Sequence, residues 1–181
     1  MAKLKPFNGI RYNPEKIDDI ATVISQPYDR VRHGLQDKYY ALNEFNVTRM
    51  IKGKEFESDN AEENVYTRAQ AFLSKWLAEG VLIREEKPAI YAYHQEFVLN
   101  GEQVTRKAMI SALELAKFEE GIVLPHEKTH DGPKMDRLNL TRATEAYYGN
   151  IFILYPDAEN KIDSILDVAI QRNPDVDVRE L

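Results

Sequence analysis

A chain of 181 residues with 43% hydrophobic and 30% charged side chains can bury an ample core and lies outside the composition of disordered proteins. Its net charge of −6 argues against nonspecific binding to nucleic acid or to an anionic membrane. The absence of cysteine excludes disulfides, thiolate nucleophiles and Cys-ligated zinc. No fixed-period repeat, leader-like apolar segment or membrane-length run is present, so the expectation is a cytoplasmic protein of one domain, residues 1–181, with no nucleic acid or membrane partner.

In chain order, Leu4 to Tyr12 reads as a strand broken at Pro6 and Gly9. "IDDIATVIS" has a short helical period that stops before Pro27, and Pro27-Tyr28-Asp29 then reads as a turn. "LQDKYYALN" predicts a short helix, with His33 in the loop before it, and "NVTRMI" a short strand. "SDNAEENVYTRAQAFLSKWLAEG" predicts the clearest helix, with a capping box from Asn60 to Glu63 and Gly80 at the C-terminal cap. Val65, Ala69, Phe72, Leu73 and Trp76 form its core stripe.

A short strand is expected at Val81 to Arg84, followed by the strongest β signal. "AIYAYHQEFVL" and "EQVTRKAMISALEL" flank Asn100-Gly101, the residue pair preferred in a two-residue type I′ hairpin. That turn predicts Phe97 opposite Val104, Tyr93 opposite Ala108 and Tyr91 opposite Ile110 on one buried face. His94 with Lys107 and Glu96 with Thr105 pair on the other. Farther on, "PKMDRLNLTRATEAYY" predicts a helix with Pro133 at its first position, "NIFILY" an apolar strand, "KIDSILDVAIQR" a helix and "DVDVREL" the start of a strand. Interleaved strands and helices around one antiparallel hairpin give an α+β fold with a mixed, mainly antiparallel sheet flanked by helices.

The loop "LPHEKTHDGPK" carries the candidate chemistry. His126-Glu127-Lys128-Thr129-His130 fits the H-E-x-x-H spacing that puts two imidazoles on one helix face around zinc. Pro125 before it and Gly132-Pro133 after it leave at best about two helical turns. No third ligand stands at a familiar distance, because Asp131, Asp136 and Glu145 are ill-spaced and His33 and His94 lie far upstream. The zinc pattern, His126 with His130, reads as an accident of composition.

The same stretch is dense in cations: Lys128, Lys134, Arg137 and Arg142. Lys134 at a helix start and Arg137 one turn on sit at the end where the macrodipole disfavours positive charge, an arrangement better suited to a bound phosphate or carboxylate. Glu127 or Asp131 there would serve as a general base or hold a divalent cation. The bland alternative is a solvated helix face balanced by Asp136 and Glu145. Local sequence leaves both open.

The succession "KPFNGIRYNPEKI", "PYDRV", "NEFNVTRMI", "YTRAQAFLSKWLAEGVL", "IYAYHQEF" and "LPHEKTHDGPKMDRLNLTRAT…IFILY" resembles the prokaryotic domain of unknown function 1015. The most specific parts are His126 to Thr129, Gly132-Pro133-Lys134 with Asp136-Arg137, and Pro27-Tyr28-Asp29. Family members are longer and carry an Asp-Gly-His-His-Arg signature in a C-terminal half that nothing here matches, so the resemblance implies an N-terminal portion, with the missing half or a second copy as a partner. Such signatures resemble the ParB/sulfiredoxin-like fold, which implies a small-metabolite phosphotransferase or phosphate-ester enzyme acting on serine or phosphoserine, with a nucleotide and Mg2+ as cofactors. The alternative it leaves is a nonenzymatic sensor of a phosphorylated metabolite. Carried over residue by residue, His126, Glu127 and Asp29 become catalytic candidates, and Lys128, Thr129, Lys134, Asp136, Arg137 and Arg142 phosphate-binding ones. Lys128, Lys134 and Arg137 would then neutralise charge on the transferred group.

Overall fold

The computed structural model describes residues 2–125 and 130–179, and His33 by its backbone alone. The fold is α+β. The described residues divide into two compact units, one of residues 2–9, 85–125 and 150–177, the other of residues 10–84, 130–149 and 178–179. No helix among them is long and apolar enough to cross a membrane.

In the first unit the hairpin forms in the predicted register. Strands β4 (Tyr91–Leu99) and β5 (Glu102–Ile110) pair Phe97 with Val104, Tyr93 with Ala108 and Tyr91 with Ile110, and His94 with Lys107 on the other face. Asn100 and Gly101 take φ of 53° and 86°, the left-handed values that a type I′ turn demands. Strand β1 (Leu4–Lys5) pairs with β6 (Ala112–Leu113). Just past β1, the Tyr91 hydroxyl accepts from the Gly9 N–H at 2.8 Å and donates to the Phe7 carbonyl. A Cβ at Gly9 would lie 2.7 Å from that hydroxyl, so only glycine admits the contact.

The expected buried hairpin face is not closed: Tyr93 is exposed, and Leu166 of helix α5 (Lys161–Ile170) is the one fully buried apolar side chain described in this unit. Helix α5 packs on β4 and β5 and ties to the polar face, where Lys107 meets Asp167 at 2.5 Å. The Asp157 carboxylate caps its start, accepting from the N–H groups of Lys161, Ile162 and Asp163.

Two strand expectations fail here. Residues 151–155, "IFILY", carry no secondary structure and stand exposed, Leu154 by 83%. Residues 175–179 are likewise irregular. Apolar β-formers become a strand only when a partner edge takes their backbone groups, and no strand among the described residues pairs with these.

The second unit holds the main core. Strands β2 (Ile10–Tyr12) and β3 (Leu82–Arg84) pair antiparallel. With the helices they enclose Ile17, Val23, Met50, Ala69, Leu73, Trp76, Val81, Leu82 and Leu140. Trp76 is 1% exposed and ringed by Tyr12, Phe45 and Phe72, with centroids 5.7–6.5 Å away. Among the described residues the β pairing is antiparallel and falls into two-stranded ladders.

Helix α3 (Val65–Ala78) is the predicted amphipathic helix, with Gly80 following at φ 71°. Its capping box is Asn64 with Thr67, not Asn60 with Glu63. Asn60 instead turns the approach, its side chain accepting from the Glu62 and Glu63 N–H groups. The expected helix at "IDDIATVIS" contracts to a 3-10 turn, Ile20–Thr22. Helix α1 (His33–Leu42) begins two residues early and takes His33 out of the loop assigned to it.

The expected strand "NVTRMI" is instead helix α2 (Thr48–Ile51). The cause is Asn46, wholly buried, whose side chain accepts from the Thr48 N–H at 3.0 Å and donates to the Thr22 and Ile24 carbonyls at 2.9 Å each. A buried asparagine turn just ahead of the helix, whose N-cap Val47 has no side-chain cap bond, outweighs the β preference of Val47 and Ile51.

Candidate functional site: the α4 ion pair and its tyrosines

Helix α4 (Asp131–Thr144) starts two residues before Pro133, so Pro133 is its third residue and Gly132-Pro133 belongs to its first turn. No intrahelical bond is required of an N–H there, so proline opens the helix rather than ending the preceding one. Leu140 and Thr144 are buried, and α4 packs on α3. Asp136 and Arg137 lie on or beside that i, i+4 row, which brings both over α3 and the end of α2.

There the Arg137 guanidinium is held on several sides. Its plane lies over the Tyr28 ring, 3.9 Å from the centroid. Nη2 donates to the Ile51 carbonyl at 2.9 Å, and Nε and Nη2 both donate to the Asp136 carboxylate, at 3.0 and 2.5 Å. The other carboxylate oxygen accepts from the Tyr66 hydroxyl at 2.9 Å. Burial first, and the Asp136 hydrogen bond second, raise the Tyr66 hydroxyl above its ordinary pKa. Tyr66 therefore stays a neutral donor. The cavity beside these groups measures about 20 Å3, room for a single water.

The remaining candidates divide. Lys134 is exposed and lies three residues, about 60° of helix turn, from Arg137. Arg142 is exposed and about 140° away around the helix, so the helix does not gather it with the other two. Asp29 is exposed in the turn closed by the Arg30 N–H on the Pro27 carbonyl. His130 caps α4 without a side-chain hydrogen bond. His126, Glu127, Lys128 and Thr129 lie outside the described residues. Among the described ones there is no group of three or more His, Asp or Glu side chains set to hold a metal.

Two members of this cluster carry no role in the sequence reading. Tyr28 stood inside the singled-out Pro27-Tyr28-Asp29, and the structure directs its ring, rather than the neighbouring carboxylate, to α4. Tyr66 gives no local signal, since a helix-start tyrosine is ordinary and its partner lies seventy residues away.

The chain is thus an α+β protein whose second unit fixes one arginine, midway along α4, between a tyrosine ring, a carboxylate and a backbone carbonyl. The chain belongs to the family described as a protein of unknown function, DUF1015, whose model matches residues 4–181. No curated protein matches the chain. No solved structure does either.

Proposed function

We propose that the second unit binds a small phosphorylated metabolite at the lip of α4, and that the activity served is phosphoryl transfer or phosphate-ester chemistry on a serine-like compound. The observation carrying the reading is the immobilised Arg137. Stacked on Tyr28 and bonded through Nε and Nη2, it keeps Nη1 without a partner among the described residues. A guanidinium already oriented spends little entropy on gripping an oxyanion. Lys134, on the same side of the helix, adds a mobile charge.

On the reading that the family is similar to the nucleotide-binding phosphotransferases of the ParB/sulfiredoxin-like fold, a Mg2+-nucleotide would be the phosphoryl source. His126 or Glu127, just upstream of α4, would orient or deprotonate the acceptor hydroxyl, and Lys128 and Thr129 would hold the phosphate. Asp29 and Arg142 join this site only if the ligand reaches past the lip.

A nonenzymatic sensor is the second reading, and one observation favours it. Asp136 already balances Arg137, which reduces the net charge available to a transition state while leaving orientation for binding intact.

The test is a thermal-shift titration with phosphoserine, inorganic phosphate and Mg2+-ATP, followed by a coupled assay for ADP formation with serine. A ligand at 100 times its dissociation constant stabilises by about 2.7 kcal/mol. The shift is expected to shrink in Arg137→Gln and Lys134→Ala, and turnover to vanish in Glu127→Gln with binding retained. Equal shifts in wild type and both cation variants overturn the site. Binding without turnover in any condition selects the sensor.

A further inference from the structure

On the other flank of residues 49–56 the second unit has a larger cleft, about 200 Å3, walled by the rings of Tyr40, Phe56 and Phe72 and by the side chains of Arg49, Lys54 and Arg68. A dry cavity of about 150 Å3 accommodates benzene, so this one has room for one six-membered ring with a short substituent. No sequence pattern singled it out, and the ion pair of α4 takes no part in it.

Its cations are built into the walls. Arg68 grips Asp59 through both amines, at 2.7 and 2.8 Å, and donates to the Lys54 carbonyl at 2.8 Å. Its guanidinium covers Phe56, 4.8 Å from the ring centre. The hydrogen bond from Arg68 holds the Asp59 carboxyl below the ordinary carboxylate range, so that pair is fully ionised and self-compensated. Lys54 likewise meets Asp37 at 2.5 Å. Arg49 differs. It lies over Tyr40, 4.2 Å from the centroid, and donates to the Tyr40 carbonyl at 2.9 Å. Its Nε is buried without a partner, and among the described residues no carboxylate approaches it.

Of three positive groups, therefore, two are neutralised by aspartates and one is not. The walls between them are aromatic. One uncompensated charge matches a monoanion, and a neutral hydrocarbon would leave Arg49 unanswered in a low-dielectric wall. We propose that this cleft is a binding site for a small aromatic monocarboxylate, its ring between Tyr40, Phe56 and Phe72 and its carboxylate on Arg49. Flat apolar walls with one polar anchor are the usual make-up of a small-molecule pocket.

Benzoate is the probe, with benzamide as its uncharged isostere, each titrated into the full chain while the ring resonances of Tyr40, Phe56 and Phe72 are followed by NMR. Benzoate is expected to shift them saturably. Benzamide is expected to bind about tenfold more weakly or not at all, the loss of a hydrogen bond to a charged group. Phe56→Ala removes a half-exposed wall without touching the Arg49 contacts and should weaken benzoate several-fold. Arg49→Gln should erase the preference for benzoate over benzamide. Should that variant fail to fold, the Phe56→Ala titration and the benzamide comparison decide alone. Absence of saturable benzoate shifts, shifts confined to other residues, equal affinity for benzamide, or indifference to Phe56→Ala each overturns the proposal.

Discussion

Replacing Asn46 with alanine should unsettle the second unit more than any other single polar change in it. The side chain is wholly buried and makes three hydrogen bonds, two donated to the Thr22 and Ile24 carbonyls and one accepted from the Thr48 N–H. At about 1 kcal/mol net for each bond, the loss approaches 3 kcal/mol, and the groups left unpaired push it higher. A typical domain has about 5–15 kcal/mol in all, so the effect is large. Asn46→Asp keeps the acceptor for Thr48 but sets a carboxylate against two carbonyl oxygens, and at neutral pH it should cost more than alanine. The measurement is urea unfolding, read as a shift of midpoint at unchanged slope. Since α2 ends at Ile51, whose carbonyl anchors Arg137, ligand binding at α4 should weaken in parallel. An Asn46→Ala loss below about 1 kcal/mol, or Asn46→Asp more stable than Asn46→Ala at pH 7, would refute the reasoning.

Two further outcomes are expected. The carboxyl of Asp59 titrates below its ordinary value of 3.8 because Arg68 hydrogen-bonds its ionised form. A group whose folded pKa is depressed adds stability above the unfolded value and loses it as pH falls through the folded one. The stability gap between wild type and Asp59→Asn should therefore be constant at neutral pH and close as the pH drops below 3.8; a gap that persists there, in urea midpoints taken across pH, contradicts the pairing. Gly101→Ala at φ 86° should cost about 1–2 kcal/mol and speed amide exchange across β4 and β5. Unchanged exchange would mean that the turn tolerates another geometry.

Local chemistry carried much of the fold on its own. Asn100-Gly101 set both the existence and the register of the hairpin, because a two-residue turn leaves no freedom in which residues face each other. The stripe from Ala69 to Trp76 likewise marked α3 and its buried side, since helical spacing and burial are one geometric fact. Where the reading failed, the missing information was a distant partner. "NVTRMI" has β-forming residues, but Asn46 reaches back to Thr22 and Ile24 and makes the segment a helix. "IFILY" has the composition of a strand, yet no strand among the described residues pairs with it.

The candidate site shows the same division. Sequence alone marked residues 126–142 as a charged stretch around a helix start and left Arg137 open between an anion seat and a solvated face, because charge and spacing are local properties. Only the tertiary structure decided that Arg137 rests on Tyr28 and that Asp136 and Ile51 take two of its edges. It also joined Tyr40, Arg49, Phe56 and Arg68 around one cleft. Which side chains meet across α2, α3 and α4 follows from how the helices bury Leu140 and Trp76 against one another, and that packing is a property of the whole core rather than of any segment in it.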